Sequence, residues 1–232
     1  MGLELSERKR NIIFVNVLIG CIVSTMLSTA LTTILSSVMD SFNIDAAMGQ
    51  WLTSSYSLVM GIMMPLTAYL INTISTKKLY IVSIGLFIVG LIFCIFATKF
   101  EIMLLGRLIQ ACGAGILTAM TQVIALTIFP AEKRGTAMGW YGLSVGVAPV
   151  IAPTLAGIIS DSVGWRMFFV LVLIIAIISF IVSVFVFENV LETKNQKLDI
   201  ASFIYSICGF GGITLPVWRQ GLSLKELWWL KS

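Results

Sequence analysis

Between Ile102 and Phe129 the chain carries a single charged residue, Arg107, in otherwise apolar sequence. A guanidinium within a membrane costs about 2.5–3.5 kcal/mol at a helix centre on insertion scales, so it needs partners and a task. Gln110 follows at i+3 on the same helical face, where its amide oxygen can accept from the guanidinium. The next five residues, Ala111-Cys112-Gly113-Ala114-Gly115, have little side-chain volume and allow a neighbouring helix to approach closely. An arginine so placed either snorkels from near a helix end or faces a polar cavity as a functional charge. The pattern favours the second reading.

Other chemistries are thinly supplied. The chain has no histidine, which removes imidazole acid–base catalysis and the commonest zinc ligand. Cys21, Cys94, Cys112 and Cys208 each sit in a separate apolar run, as small packing residues do and disulfide or metal sets do not. No cofactor is expected. No Asp or Glu falls inside the first six apolar segments, so an enzyme is the least supported class.

Three further constellations qualify as sites. Asn16, Gly20, Ser24, Ser28, Thr32 and Ser36 recur every four residues and draw one polar stripe along an apolar helix. Such a stripe serves either helix packing or a cavity wall, and its length favours a cavity that includes Ser24, Ser28 and Thr32. Gly142, Gly146, Pro149, Pro153 and Gly157 fall at three- and four-residue spacings in a later segment. Two prolines each delete a backbone hydrogen bond, so this segment is a candidate gating helix. Asn72, Lys77 and Lys78 lie in a short polar turn.

The elements that must position these residues are membrane spans. Hydrophobic residues make up 58% of the 232, and 11% are charged, against about 25% in soluble domains. The small net charge of +4 gives no reason to expect a nucleic-acid partner. Spans are expected at about 11–35, 51–71, 79–97, 102–129, 136–160 and 167–187, with a short glycine-rich seventh at 200–217. The basic N-terminus (Arg8, Lys9, Arg10) resembles a signal-peptide n-region, but the apolar run behind it is too long and reads as an uncleaved span. Basic residues cluster at the N-terminus, in the 72–78 and 131–134 turns and in the 188–199 stretch, while the alternate ends hold only Lys99 and Arg166. The positive-inside bias then places the N-terminus of a multi-pass membrane protein in the cytoplasm. The organisation expected is a six-span bundle at 1–187, a cytoplasmic linker at 188–199, and a partial seventh span with an atypical tail at 200–232. Pro65-Leu66-Thr67-Ala68 echoes Pro153-Thr154-Leu155-Ala156, which hints at a three-plus-three repeat.

Several of these segments resemble a known family. Leu105-x-Arg107-x-Ile109-Gln110-Ala111-x-Gly113-Ala114-Gly115 is similar to the fourth-span signature of the major facilitator superfamily. Ala148-Pro149-x-x-Ala152-Pro153-x-x-Ala156-Gly157 resembles its fifth-span antiporter signature, with alanine at two places where glycine is usual. Gln50-Trp51-Leu52-Thr53-Ser54-Ser55-Tyr56-x-Leu58 is similar to the second span of fourteen-span drug:proton antiporters of the EmrB/QacA type. The turn after span two departs from the family motif: of its glycines, acid and basic residues, Lys77 alone matches.

The resemblance implies an all-α, six-helix transporter bundle of three-plus-three build plus a partial seventh helix. It further implies a lipid bilayer around it, a small amphipathic substrate or drug, and protons as coupling ions. The family needs twelve or fourteen spans, so the chain is expected to be a truncated form. Such a form would be inactive alone unless a homodimer or the missing C-terminal half supplies the second bundle. A lone copy is expected to leave the Arg107 face poorly covered. A membrane-embedded accessory subunit without transport of its own is the alternative.

Overall fold

A computed structural model of the chain describes residues 6–190. The rest of the expected linker and the expected seventh span lie outside the described residues. Six helices follow one another: α1 (Glu7–Phe42), α2 (Ala46–Thr73), α3 (Thr76–Ile95), α4 (Phe100–Ile128), α5 (Ala131–Val163) and α6 (Trp165–Val186). Each is long and apolar enough to cross a membrane. In lipid, helices are the natural solution because every backbone polar group is satisfied within the segment.

The helices overrun the apolar segments, and the connections are shorter than hydropathy suggests. The polar stretch 37–50 reads as a connection in the sequence. Instead α1 continues through it to Phe42, and the link to α2 is residues 43–45. Asn43 ends α1 in the left-handed conformation (φ 51°), which asparagine tolerates. Asp45 then caps α2, its carboxylate accepting the Met48 N–H at 2.7 Å. The basic turn expected at 131–134 is the first turn of α5, set off from α4 by Pro130. Hydropathy marks where lipid ends, whereas a helix ends where its backbone bonds stop.

Close approach is confined to particular glycines. A Cβ placed on Gly113 would collide with the Ser83 carbonyl oxygen and the Phe87 nitrogen, and one on Gly90 would lie 2.6 Å from the Gly106 carbonyl. These positions let the α3 and α4 backbones nearly touch. Gly115 does the same for α2, with Met60 O 3.0 Å from such a Cβ. The small run after Gln110 is thus the seam of the bundle. α1 packs on α5 through Ala148, Ala152 and Ala156, all buried. α1 contacts α5 and α6 as α4 contacts α2 and α3, the neighbour pattern of a three-plus-three repeat.

A second tie is polar. Asn16 donates from Nδ2 to Ser183 Oγ at 2.7 Å and accepts from Ser179 Oγ at 2.9 Å, and its carbonyl accepts from the Tyr80 hydroxyl at 3.1 Å. Gly20 makes room for that tyrosine, since a Cβ there would lie 2.7 Å from the hydroxyl oxygen. Helices α1, α3 and α6 are therefore joined at one buried point.

Candidate substrate and ion pathway

Arg107 is fully buried, two turns into α4. Its Nη1 donates to Gln110 Oε1 at 2.6 Å, the i+3 pairing anticipated from spacing. Its Nε points at the Leu52 carbonyl on α2 at 3.4 Å. The Tyr56 ring, one turn further along α2, lies against the guanidinium with 3.9 Å from Cζ to the ring centroid. A desolvated cation–π contact contributes about 2 kcal/mol, and a hydrogen bond to a charged group about 1.5–3 kcal/mol. Together these match the order of the insertion cost of the charge. No ion pair involves Arg107 among the described residues, and its Nη2 and the Gln110 Nε2 have no hydrogen-bond partner there.

This corrects one expectation. The Arg107 face is not poorly covered in a single copy, because α2 lies over it through Leu52 and Tyr56, both buried. A close aromatic cover offsets the desolvation of the charge and needs no second bundle.

The stripe on α1 divides. Ser24 is buried, donates to the Cys21 carbonyl at 2.9 Å, and its own carbonyl faces the Tyr56 hydroxyl at 3.4 Å. It therefore belongs to the Arg107 cluster. Ser28 is half-buried and Thr32 is exposed, its hydroxyl turned back on the Thr29 carbonyl at 2.6 Å. Neither is hydrogen-bonded to Arg107, Gln110 or Tyr56 among the described residues. Asn16 and Gly20, at the start of the stripe, are packing residues.

On α5 the two small-residue faces have different fates. The alanine face is packed, while Gly142 and Gly146 are exposed and a Cβ on either would meet nothing within 4 Å. Pro149, Pro153 and Gly157 are half-buried, and the helix runs unbroken through both prolines. Gly142 and Gly146 thus face away from α1, whereas a Cβ on Gly157 would meet the Thr33 side chain of α1 at 3.8 Å. The turn expected at 72–78 is only residues 74–75: Asn72, in the last turn of α2, bonds back to the Ala68 carbonyl at 2.9 Å, and Lys77 and Lys78 lie in the first turn of α3, Lys78 exposed. The Lys77 backbone N–H donates to Asn189 Oδ1 at 3.3 Å, so this turn meets the start of the polar stretch after α6.

The carboxylates nearest the membrane spans lie at the periphery: Asp40, Glu101 and Asp161 are all exposed at helix ends. Sequence reasoning missed Tyr56 as the cover of Arg107, although an aromatic one turn after Leu52 in an apolar helix was available as a signal. It also missed the partners of Asn16: Tyr80, Ser179 and Ser183.

Known proteins place this geometry. The chain is 40% identical over 212 residues to the uncharacterized MFS-type transporter YcnB of Bacillus subtilis (strain 168), an alignment covering 91% of this chain and 45% of that protein. It is 36% identical over 183 residues to the lincomycin resistance protein LmrB of the same organism, covering 79% and 38%. It thus spans less than half the length of either relative. Among solved structures, the peptide transporter POT (E310Q mutant, with sulfate) superposes with a TM-score of 0.70 at 11% identity, covering 88% of this chain and 44% of that one, a likeness of fold alone. A family model described as Major Facilitator Superfamily matches residues 17–230. On that match and these relatives, the chain belongs to the Major Facilitator Superfamily, a family of membrane transporters and not of enzymes.

Proposed function

We propose that this chain forms one of the two six-helix bundles of a proton-coupled exporter of small amphipathic compounds, with its N-terminus in the cytoplasm of a bacterial cell. The observation that carries this reading is a buried arginine, without an ion pair among the described residues, on a bundle related to a lincomycin resistance protein. Arg107, with Gln110 and Ser24 beside it, is the charge of the pathway. Ser28 and Thr32 line its opening further along α1.

Alternating access moves two bundles about a site between them. The glycine side of α5, with Gly142, Gly146 and the adjoining Pro149, Pro153 and Gly157, suits the moving contact because it offers backbone without side-chain bulk. The turn at Asn72, Lys77 and Lys78 lies on the cytoplasmic side, where the basic clusters gather. Protons need a titratable group within the membrane. Because Asp40, Glu101 and Asp161 sit exposed at helix ends, the coupling acid belongs to the second bundle.

The test is export from a drug-sensitised host by this chain joined to the second half of the YcnB relative. Resistance with pH-gradient-driven efflux is the expected result. An inserted, folded chimera that confers neither would end the exporter reading. The chain expressed alone is expected to be inactive, and transport by a monomer would refute the need for two bundles.

A further inference from the structure

Two apolar grooves flank the face of α1 that is exposed at Asn11 and Val15, at the basic end of the bundle. The larger, about 1020 Å³, lies between α1 and the first half of α5 over Phe14, Leu18, Trp140 and Val147. The smaller, about 580 Å³, lies between α1 and the second half of α6 over Ile12, Ile175, Ile178 and Val182. They meet along Asn11, Val15 and Ile19, which line both. Helices α5 and α6 are joined at Gly164, at the opposite end, so α1 forms a floor between them here.

Each groove is lined by one cation, Lys133 in the larger and Arg8 in the smaller, and Asn11 lines both. Lys133 pairs with Glu7 at 3.4 Å, but both side chains are more than half exposed, and such pairs contribute little. Arg8 has no ion pair among the described residues. Arg10 lies over the Phe129 ring at 5.2 Å and also pairs with Glu7, at 3.1 Å, so one carboxylate is shared between two cations here. Along α1 the larger groove runs from Asn11 to Met26, roughly 22 Å at the helical rise. That exceeds the roughly 15 Å depth of one leaflet's hydrocarbon.

We infer that this paired groove is a binding site for one anionic phospholipid, with an acyl chain in each groove and the phosphate between Arg8 and Lys133. Two adjoining apolar channels under two cations match a lipid with two chains and one negative headgroup. A zwitterionic lipid would fill the grooves equally well but would gain less from the cations. The site is separate from Arg107 and from the glycine side of α5, so it does not depend on the proposed export activity.

The site holds its own reporter, since Trp140 lines the larger groove and is 57% exposed. The chain is placed in phosphatidylcholine vesicles with chain-brominated phosphatidylglycerol or, in a parallel series, chain-brominated phosphatidylcholine. Quenching assigned to Trp140 is the difference between the wild-type chain and Trp140→Phe. The brominated anionic lipid is expected to reach half-quenching at the lower mole fraction. Arg8→Gln and Lys133→Gln should each reduce that preference about five-fold. Lys78→Gln, a basic-end change outside both grooves, should leave it unaltered and controls for bulk surface charge. Equal quenching by the two lipids would overturn the proposal, as would a preference that survives Arg8→Gln/Lys133→Gln. Absence of Trp140 quenching by either lipid would show that protein, such as a second copy, covers the groove, and would overturn it too.

Discussion

Replacing Arg107 with methionine should leave the bundle at least as stable while abolishing transport. Buried charges exchanged for apolar side chains of similar volume are often neutral or stabilising, by about 1–4 kcal/mol in favourable cases. In the wild-type chain the Tyr56 ring at 3.9 Å compensates part of the desolvation cost. Tyr56→Leu should therefore lose about 2 kcal/mol of cation–π energy beyond its change in packing. In the Arg107→Met background the same substitution should cost only the packing change. The coupling energy of the double-mutant cycle is thus expected at about 1–2 kcal/mol. Tyr56→Phe keeps the ring and gives up only a 3.4 Å contact to the Ser24 carbonyl, so it should preserve most of the coupling. Reversible unfolding of the helical signal by sodium dodecyl sulfate in mixed micelles measures each of these variants. A coupling energy of zero, or Tyr56→Phe as damaging as Tyr56→Leu, would refute the view that the ring holds the charge in place.

The two kinds of glycine should separate cleanly. Gly113→Ala is expected to cost about 1–3 kcal/mol by overpacking against Ser83 and Phe87, whereas Gly142→Ala should be neutral or stabilise by up to about 1 kcal/mol, both read from unfolding midpoints. Asn16→Ala removes the partner of Ser183 and Ser179 and should cost about 0.6–2 kcal/mol by the same measurement, the range for polar contacts between membrane helices. Lys9→Gln breaks a 2.6 Å ion pair with Glu188, but both side chains are about half exposed, so unfolding should be unchanged within error.

The membrane class and the six spans are legible in composition and hydropathy because lipid imposes a single long-range rule on every residue. The Arg107–Gln110 contact is legible because i,i+3 neighbours on a helix meet whatever the tertiary fold. Tyr56 is not, since it reaches Arg107 from 51 positions earlier in the chain and nothing local marks which face α2 presents. The same limit explains α5. Glycines at helical spacing announce that something can come close, but not what or on which side, and in this bundle the packed face carries alanines. The stripe on α1 does not act as a single unit because a 36-residue helix meets different neighbours along its length: α3 and α6 near Asn16, the Arg107 cluster at Ser24, and an exposed surface at Thr32.

The proposal that Arg107 is held inside the bundle for transport and not for folding is tested most directly by pH-gradient-driven transport of a lipophilic cation by proteoliposomes. The vesicles would carry the chain joined to the YcnB relative's second half, with Arg107 and with Arg107→Ala at matched insertion. Gradient-dependent transport is expected from the first and none from the second, with both equally folded. Transport by Arg107→Ala at the unmodified rate would contradict the claim.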